Sequence, residues 1–380
     1  LASLDRLSRR PGGQMGREAP KPADVGEALD FLGLAERATA AGPVWSRDYT
    51  DPSTLTNTDL PDLEGFFTHA VTEVSRTEDL LFLDTETTGL AGGTGTIPFL
   101  VGVSWLVEGS LRTRQYFLPG PGREGPMLAD LERLARDFAV VVTFNGASFD
   151  LPLLRTRARL ERRDDPLAGL VSWDLLVPCR RLWGRELPDC RQQTLETEVL
   201  GRARGAGDIE GNRIPQTWFD FLATGLPGDM VAVLTHNHRD MLGMADLLAE
   251  VLRAAGSLAE DAPDADPGWR AAWSLGRICE ARREQDIAGR WMACAMEKLP
   301  RRAGVSGEEE PFFRDALRIL KRTGDWPLVE RTIETLFARG LEGAWSHREA
   351  AILYEHRLVL LDRALHHAAR SGEDRRLKRL

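Results

Sequence analysis

Five side chains have the types and spacing of hydrolytic chemistry: Asp84 with Glu86, then Asp150, then His236 with Asp240. Asp84 and Glu86 lie two residues apart, directly after the apolar run Leu80-Leu81-Phe82-Leu83, which reads as a buried strand. At a strand end that spacing points both carboxylates to one face. Neighbouring acids repel each other and lose solvation, and a hard divalent cation with oxygen ligands reconciles them. Asp150 closes Phe144-Asn145-Gly146-Ala147-Ser148-Phe149-Asp150 at the start of a predicted helix, where it either caps the helix or joins the first pair. His236 and Asp240 are spaced i, i+4 and share one helix face, as a surface pair or as part of a site. Taken together, Asp84, Glu86, Asp150 and Asp240 are the inventory for two Mg²⁺ or Mn²⁺ ions about 3.5–4 Å apart, arranged to hydrolyse a phosphodiester. His236, neutral near pH 7, is the candidate acceptor of the proton of an attacking water, and His238 is the second candidate.

The flanking residues suggest what a substrate would meet. Thr87, Thr88 and Gly89, with the loop Gly92-Gly93-Thr94-Gly95, offer hydroxyls and amides to a terminal phosphate or sugar. The loop lacks the GxxxxGK[ST] pattern of a nucleotide P-loop. Asn145 reads as a substrate or bracing contact, or as a turn residue. Phe149 reads as a base-stacking surface or as a core residue. Asp174 is a helix cap or an outer member of the site, and Asp208 belongs to a surface loop or approaches the substrate. The run Arg155, Arg157, Arg159, Arg162, Arg163 and the later Arg180, Arg181, Arg185 and Arg191 track phosphates or form solvated faces.

The elements needed to position these groups are legible as a mixed α/β sheet. Strands are predicted at Leu80–Leu83, Ile97–Val107, Leu111–Leu118 and Ala139–Phe144, with a hairpin turn at Glu108-Gly109-Ser110. Helices are predicted over Met127–Phe138 and Phe149–Leu160, and residues 174–252 read as mainly helical. Residues 1–45, rich in Arg, Gly, Pro and Ala, read as mostly disordered, with one short helix near Val25–Thr39. The expected organisation is an α/β domain over 46–255, an acidic Pro-rich linker over 256–268, and an all-helical domain over 269–380. In that last part Ala272–Leu299, Phe312–Arg339 and Arg348–Ala369 recur at a helix-pair spacing, which also fits a generic bundle.

Composition bounds the function classes. The 380 residues carry a net charge of −9, which argues against nonspecific coating of nucleic acid through charge alone. Residues 311–380 nevertheless carry +4, so the acidic excess lies before them. Nearly every basic residue is Arg, Lys standing only at 21, 298, 321 and 378. The four cysteines form no CxxC pair, which makes a zinc or redox site an unfavourable reading and fits a reducing cytosol. No stretch reads as a membrane span, the start lacks the apolar core of a secretory signal, and the expected location is cytoplasmic.

The order of the three acidic segments resembles the DEDD (DnaQ-like) exonuclease superfamily of the ribonuclease H-like fold. Asp84-Thr85-Glu86 matches its DxE strand, Asn145 to Asp150 its N-x(4)-D segment, and Asp240 its C-terminal acidic helix. Those enzymes carry Tyr four residues before the last Asp or His five before it, whereas His236 stands four before Asp240; both His236 and His238 therefore stay open as the base. A narrower resemblance, over about residues 45–370, is to the YprB-type ribonuclease H-like proteins. It rests on TETTGLAGGTGTIPFLVGV at Thr85–Val103, on Leu195-Glu196, Val199-Leu200-Gly201, Asp208-Ile209, Ile214-Pro215 and His236-Asn237, and on a tetratricopeptide-like tail with Leu353-Tyr354-Glu355-His356-Arg357 and Ala364-Leu365. The resemblance implies a ribonuclease H-like mixed sheet followed by an all-α helical-repeat domain. It also implies a two-metal phosphodiesterase acting as a 3′–5′ exonuclease on single-stranded DNA or RNA. A structure-selective endonuclease, and a noncatalytic adaptor binding a protein partner through the repeats, are the alternatives.

Overall fold

The structure, a computed structural model, describes residues 25–68, 74–89, 94–203, 205, 207–259, 268–300 and 309–380. Its centre is a sheet built from β1 (Ala35–Thr39), β2 (Gly42–Pro52), β3 (Leu80–Thr87), β4 (Pro98–Val107), β5 (Ser110–Phe117), β6 (Val140–Thr143) and β7 (Val171–Asp174). The spatial order is β1-β2-β5-β4-β3-β6-β7, with β6 and β7 parallel to β3 and the remaining pairings antiparallel. The β4–β5 hairpin is tight because Glu108 and Gly109 both take positive φ, 50° and 80°, the backbone twist a two-residue turn needs. The parallel strands require crossovers, supplied by helices α2 (Glu124–Ala135) and α3 (Asp150–Leu160), which follow the short α1 (Gly26–Phe31).

Two expectations are corrected here. Residues 25–45 are not mostly disordered: the expected short helix is α1, which ends at Phe31, and the rest of the expected range turns into the β1–β2 hairpin. Ala35-Glu36-Arg37-Ala38 has helix-forming composition, but eight residues of β2 pair with β5, and that long-range ladder overrides the local preference. Residues 1–24, including the Arg9–Gly13 stretch, lie outside the described residues. The second correction is β7, whose Asp174 ends a strand rather than beginning a helix.

After β7 come α4 (Leu176–Leu182), α5 (Gln192–Glu198), α6 (Ile214–Thr224) and the 30-residue α7 (Met230–Ala259), which lies across the sheet. The helix α7 takes up the first part of the expected linker; residues 260–267 lie outside the described residues. Three helical hairpins follow: α8 (Trp269–Ala281) with α9 (Gln285–Glu297), α10 (Glu310–Thr323) with α11 (Trp326–Ala338), and α12 (Ala344–His356) with α13 (Leu361–Ser371). Each of the three long helical stretches read from the sequence is thus a pair, broken for example where Gly324 turns left-handed at φ 78°. No helix among the described residues is long and apolar enough to cross a membrane.

The strand β3 sorts its side chains by alternation. Leu81 and Leu83 pack in one core with α2 and α6, while Leu80 and Phe82 pack in another with α7. That second core continues without interruption into α8 and the later helical hairpins.

Candidate functional site

Asp84 and Glu86 extend the α7-facing side of β3 past its apolar part. A register shift between Glu86 and Thr87 against β4 bends the strand at this point, as bulges beside sites commonly do. The helix α7 presents Val233, Leu234, Asn237, Met241 and Met244 to the sheet, all fully buried. Asn237 is the polar member of this stripe, and its surroundings explain it. Its Nδ2 donates to Asp84 Oδ2 at 2.8 Å, and its Oδ1 accepts from Gln115 Nε2 at 2.8 Å. Gln115 Nε2 also donates to the Leu234 carbonyl at 2.8 Å. Asp84, Gly102 and Gln115 are register partners across β3, β4 and β5. Gly102 leaves the room that Asn237 fills, since a Cβ there would lie 2.9 Å from Asn237 Nδ2. A glycine in mid-strand thus admits the amide that fixes the Asp84 carboxylate.

His236 and Asp240 lie on the flank of α7 next to that stripe. His236 Nε2 is 3.4 Å from Asp240 Oδ2, and Nδ1–H donates to Asp208 Oδ1 at 2.8 Å. A carboxylate on Nδ1 fixes the tautomer and leaves Nε2 of the neutral ring as the basic nitrogen. Glu86, His236 and Asp240 each offer a ligand atom within 4.8 Å of the other two. His238 goes elsewhere: its Nε2 is 2.9 Å from Asp51 Oδ2 on β2, and its ring stacks on Tyr49 with centroids 4.0 Å apart. The structure therefore brings His236, and not His238, beside Glu86 and Asp240.

Asp150 sits in the first turn of α3, and Thr85 Oγ1 donates to its Oδ1. The preceding turn is held by Asp174, whose Oδ1 accepts from the Asn145 and Leu176 amides at 2.7 and 3.0 Å. Asn145 takes the left-handed conformation at φ 63°. At Gly146 a Cβ would lie 2.6 Å from Thr143 Cβ and 2.7 Å from Asp150 Oδ2, so only glycine fits between them. Phe149 is 55% exposed, which overturns the core reading and leaves a ring open to solvent beside Asp150.

The loop residues are more self-contained than the sequence suggests. Thr87 Oγ1 donates to the Gly89 carbonyl at 2.8 Å, and Thr88 Oγ1 accepts from the Ile97 amide at 3.0 Å. Arg157 is buried, donating to Glu124 Oε1 and, at 2.8 Å, to the Thr94 carbonyl. It braces this loop rather than tracking phosphate. Gly92 and Gly93 lie outside the described residues.

Charge concentrates at Asp84. Burial pushes its carboxyl up to about 7, and the charge of Asp240 adds to this, against the hydrogen bond from Asn237 and the charge of His236. Burial likewise pushes Asp150 up to about 7, with the charge of Asp84 second and the Thr85 hydrogen bond opposing. Asp240 raises the proton affinity of Asp84 and Asp84 that of Asp150, and with Glu86 and an imidazole alongside they form a donor set suited to divalent cations.

The Gly102–Gln115–Asn237 brace was missed in the sequence, where its one signal was a polar Asn in the apolar stripe of α7; Asp174 and Asp208 were singled out there, but not as the hold on the Asn145 turn or as the partner of His236.

A five-strand core of antiparallel β5-β4-β3 with parallel β6 and β7, carrying carboxylates on its central strand, defines a ribonuclease H-like domain. The chain matches the family model of the RNase H superfamily over residues 81–252. It is 36% identical over 170 residues to the uncharacterized protein YprB of Bacillus subtilis (strain 168). That match covers 44% of this chain and 41% of the relative, less than half of either.

His236 and Asp208 give a first prediction. Asp208→Asn removes the anionic partner of Nδ1 and is expected to slow hydrolysis about 10-fold or more. A wild-type rate in this variant would show that Asp208 does not support the site through His236.

Proposed function

We propose that the protein is a divalent-cation-dependent phosphodiesterase that removes nucleotides from the 3′ end of single-stranded DNA or RNA. The observation that supports this most is the meeting of Glu86, His236 and Asp240 ligand atoms within 4.8 Å, next to an Asp84 already crowded by negative charge. Asp84, Glu86, Asp150 and Asp240 would hold two Mg²⁺ or Mn²⁺ ions. Those ions, when bound, neutralise the carboxylates and offset the charge that builds up around phosphorus. His236 Nε2 takes the proton of the attacking water, and Asp208 stabilises the resulting imidazolium. Phe149 stacks the terminal base, and its exposure supports that role. Thr87, Thr88, Gly89 and Asn145 shape the pocket around the strand end. In this reading the catalytic part runs from the β1–β2 hairpin through α7, with the helix pairs after residue 268 as a second part.

The test is an end-labelled single-stranded oligonucleotide incubated with purified protein and Mn²⁺. Stepwise shortening from the 3′ end is expected, while a circular single strand stays intact. Cleavage of the circle would make the enzyme an endonuclease, and no cleavage of either substrate would overturn the phosphodiesterase reading.

A further inference from the structure

We infer that an arginine-lined groove between α4 and α8 holds the phosphodiester backbone of a single strand whose end lies at Asp84. This rests on the reading above and gives the helical part of the chain a role in it. Two depressions adjoin behind the turn that carries Asp150. One, of about 470 Å³, is lined by Asn145, Ser148, Arg155 and Asp174. The other, of about 450 Å³, is lined by Arg185 on the α4 side and Ser274 and Arg277 on α8. Both are also lined by Thr68 and Arg180, so they form one path from the Asp150 turn to the first helix of the helical part.

The charge of this path is opposite to that of the chain. Against its arginines, Asp174 is the acidic residue in the two linings, and its oxygens already accept three backbone amides. Arg155 and Arg277 face Asp165 and Asp315 through Nε, at 2.7 and 3.5 Å, which steers each guanidinium while leaving its outer nitrogens available to phosphate. Ser172 and Ser274 line the same path. Ser274, 1% exposed, and Ser172 each carry a buried Oγ that no group among the described residues satisfies.

The walls are fixed in place. Arg181 donates to the carbonyls of Gly65 and Phe66, and the Arg185 guanidinium lies 4.6 Å from the Trp273 ring centre. Phe67, the aromatic ring in the linings, is itself stacked on Trp173. A row of guanidinium groups with no ring open for stacking suits a repeating phosphate backbone read without regard to base.

Fluorescence polarisation of a labelled 20-nucleotide single strand tests this, using the full chain with Ca²⁺ in place of Mn²⁺ to hold back cleavage. Arg180→Glu and Arg277→Glu are each expected to weaken binding about 10-fold and to lower the salt dependence. The loss should be smaller for a tetranucleotide, which offers fewer phosphates to the row of arginines. Arg277→Gln, checked for an unchanged melting temperature, should shift affinity in the same direction by a smaller factor. Wild-type affinity for the 20-mer in Arg277→Glu would overturn the groove, as would wild-type binding of poly-glutamate in place of the oligonucleotide. The two readings fail separately. Binding that depends on Arg277 without any hydrolysis in Mn²⁺ sinks the active-site reading alone. Hydrolysis with Arg277-independent binding sinks the groove alone.

Discussion

In the proposed phosphodiesterase, Asp84→Asn is expected to lower hydrolysis by a factor of about 1,000 or more (roughly 4 kcal/mol of lost transition-state stabilisation), while making the metal-free protein more stable. The two effects have one cause. Asp84 stands half-buried beside Asp240 and Asp150, and its carboxyl is pushed up to about 7. The amide keeps the oxygen that accepts from Asn237 but carries no charge. Relief of the crowding is expected to add on the order of 2 kcal/mol to unfolding at pH 8. Differential scanning fluorimetry with and without Mn²⁺ measures both sides. In the wild type, Asp84 and Asp150 hold protons in the folded state that the unfolded chain releases near pH 4. Their contribution to metal-free stability is therefore full below about pH 4 and is lost as pH rises through about 7. A cation competes with those protons, so the Mn²⁺-induced rise in melting temperature is expected to be larger at pH 8 than at pH 5, and to be small at both in Asp84→Asn. A full Mn²⁺ response in the variant would remove Asp84 from the metal set.

The second large effect belongs to Gly102. Gly102→Ala places a methyl against the Asn237 amide and forces it away from Asp84, at an expected cost of about 1–3 kcal/mol in urea unfolding. Activity should fall at least about 10-fold, because the Asp84 carboxylate loses its donor. Asn237→Ala clears the same space but gives up the hydrogen bonds to Asp84 and Gln115. The double variant is therefore expected to be no less stable than Asn237→Ala alone. Additive losses would mean that Gly102 matters for a reason other than this contact.

Much of this was legible in the sequence because its signals are local. The apolar run before Asp84, the Glu108-Gly109 turn and the apolar periodicity of α3 each lie within a dozen residues, and each appears in the fold close to its expected bounds. The strand β7 was not legible, because four residues ending in Asp174 have no periodicity of their own and owe their state to pairing with β6. The hairpin β1–β2 was masked by helix-forming residues on β1, and its second strand owes its state to β5, roughly sixty to seventy positions further along the chain. At the site, the acids were legible from type and spacing, but their supports were not. Gly102, Gln115 and Asn237 are ordinary residues on three separate elements, and nothing before folding relates them. Asp208 looked like a loop residue because its partner, His236, is twenty-eight positions further along the chain.

The length of α7 carries one last consequence. Its first half bears His236, Asn237 and Asp240, and its second half buries Val251, Leu252, Ala255 and Leu258 in the core that holds Trp269 and Trp273. One rigid rod thus serves as floor for the carboxylates and as spine for the helical hairpins, with no joint between them. The site's imidazole and last aspartate thus stand on the same helix that the hairpins pack against. Conversely, a chain cut back to the sheet would leave a greasy half-helix in water and lose the anchor that aims its own site.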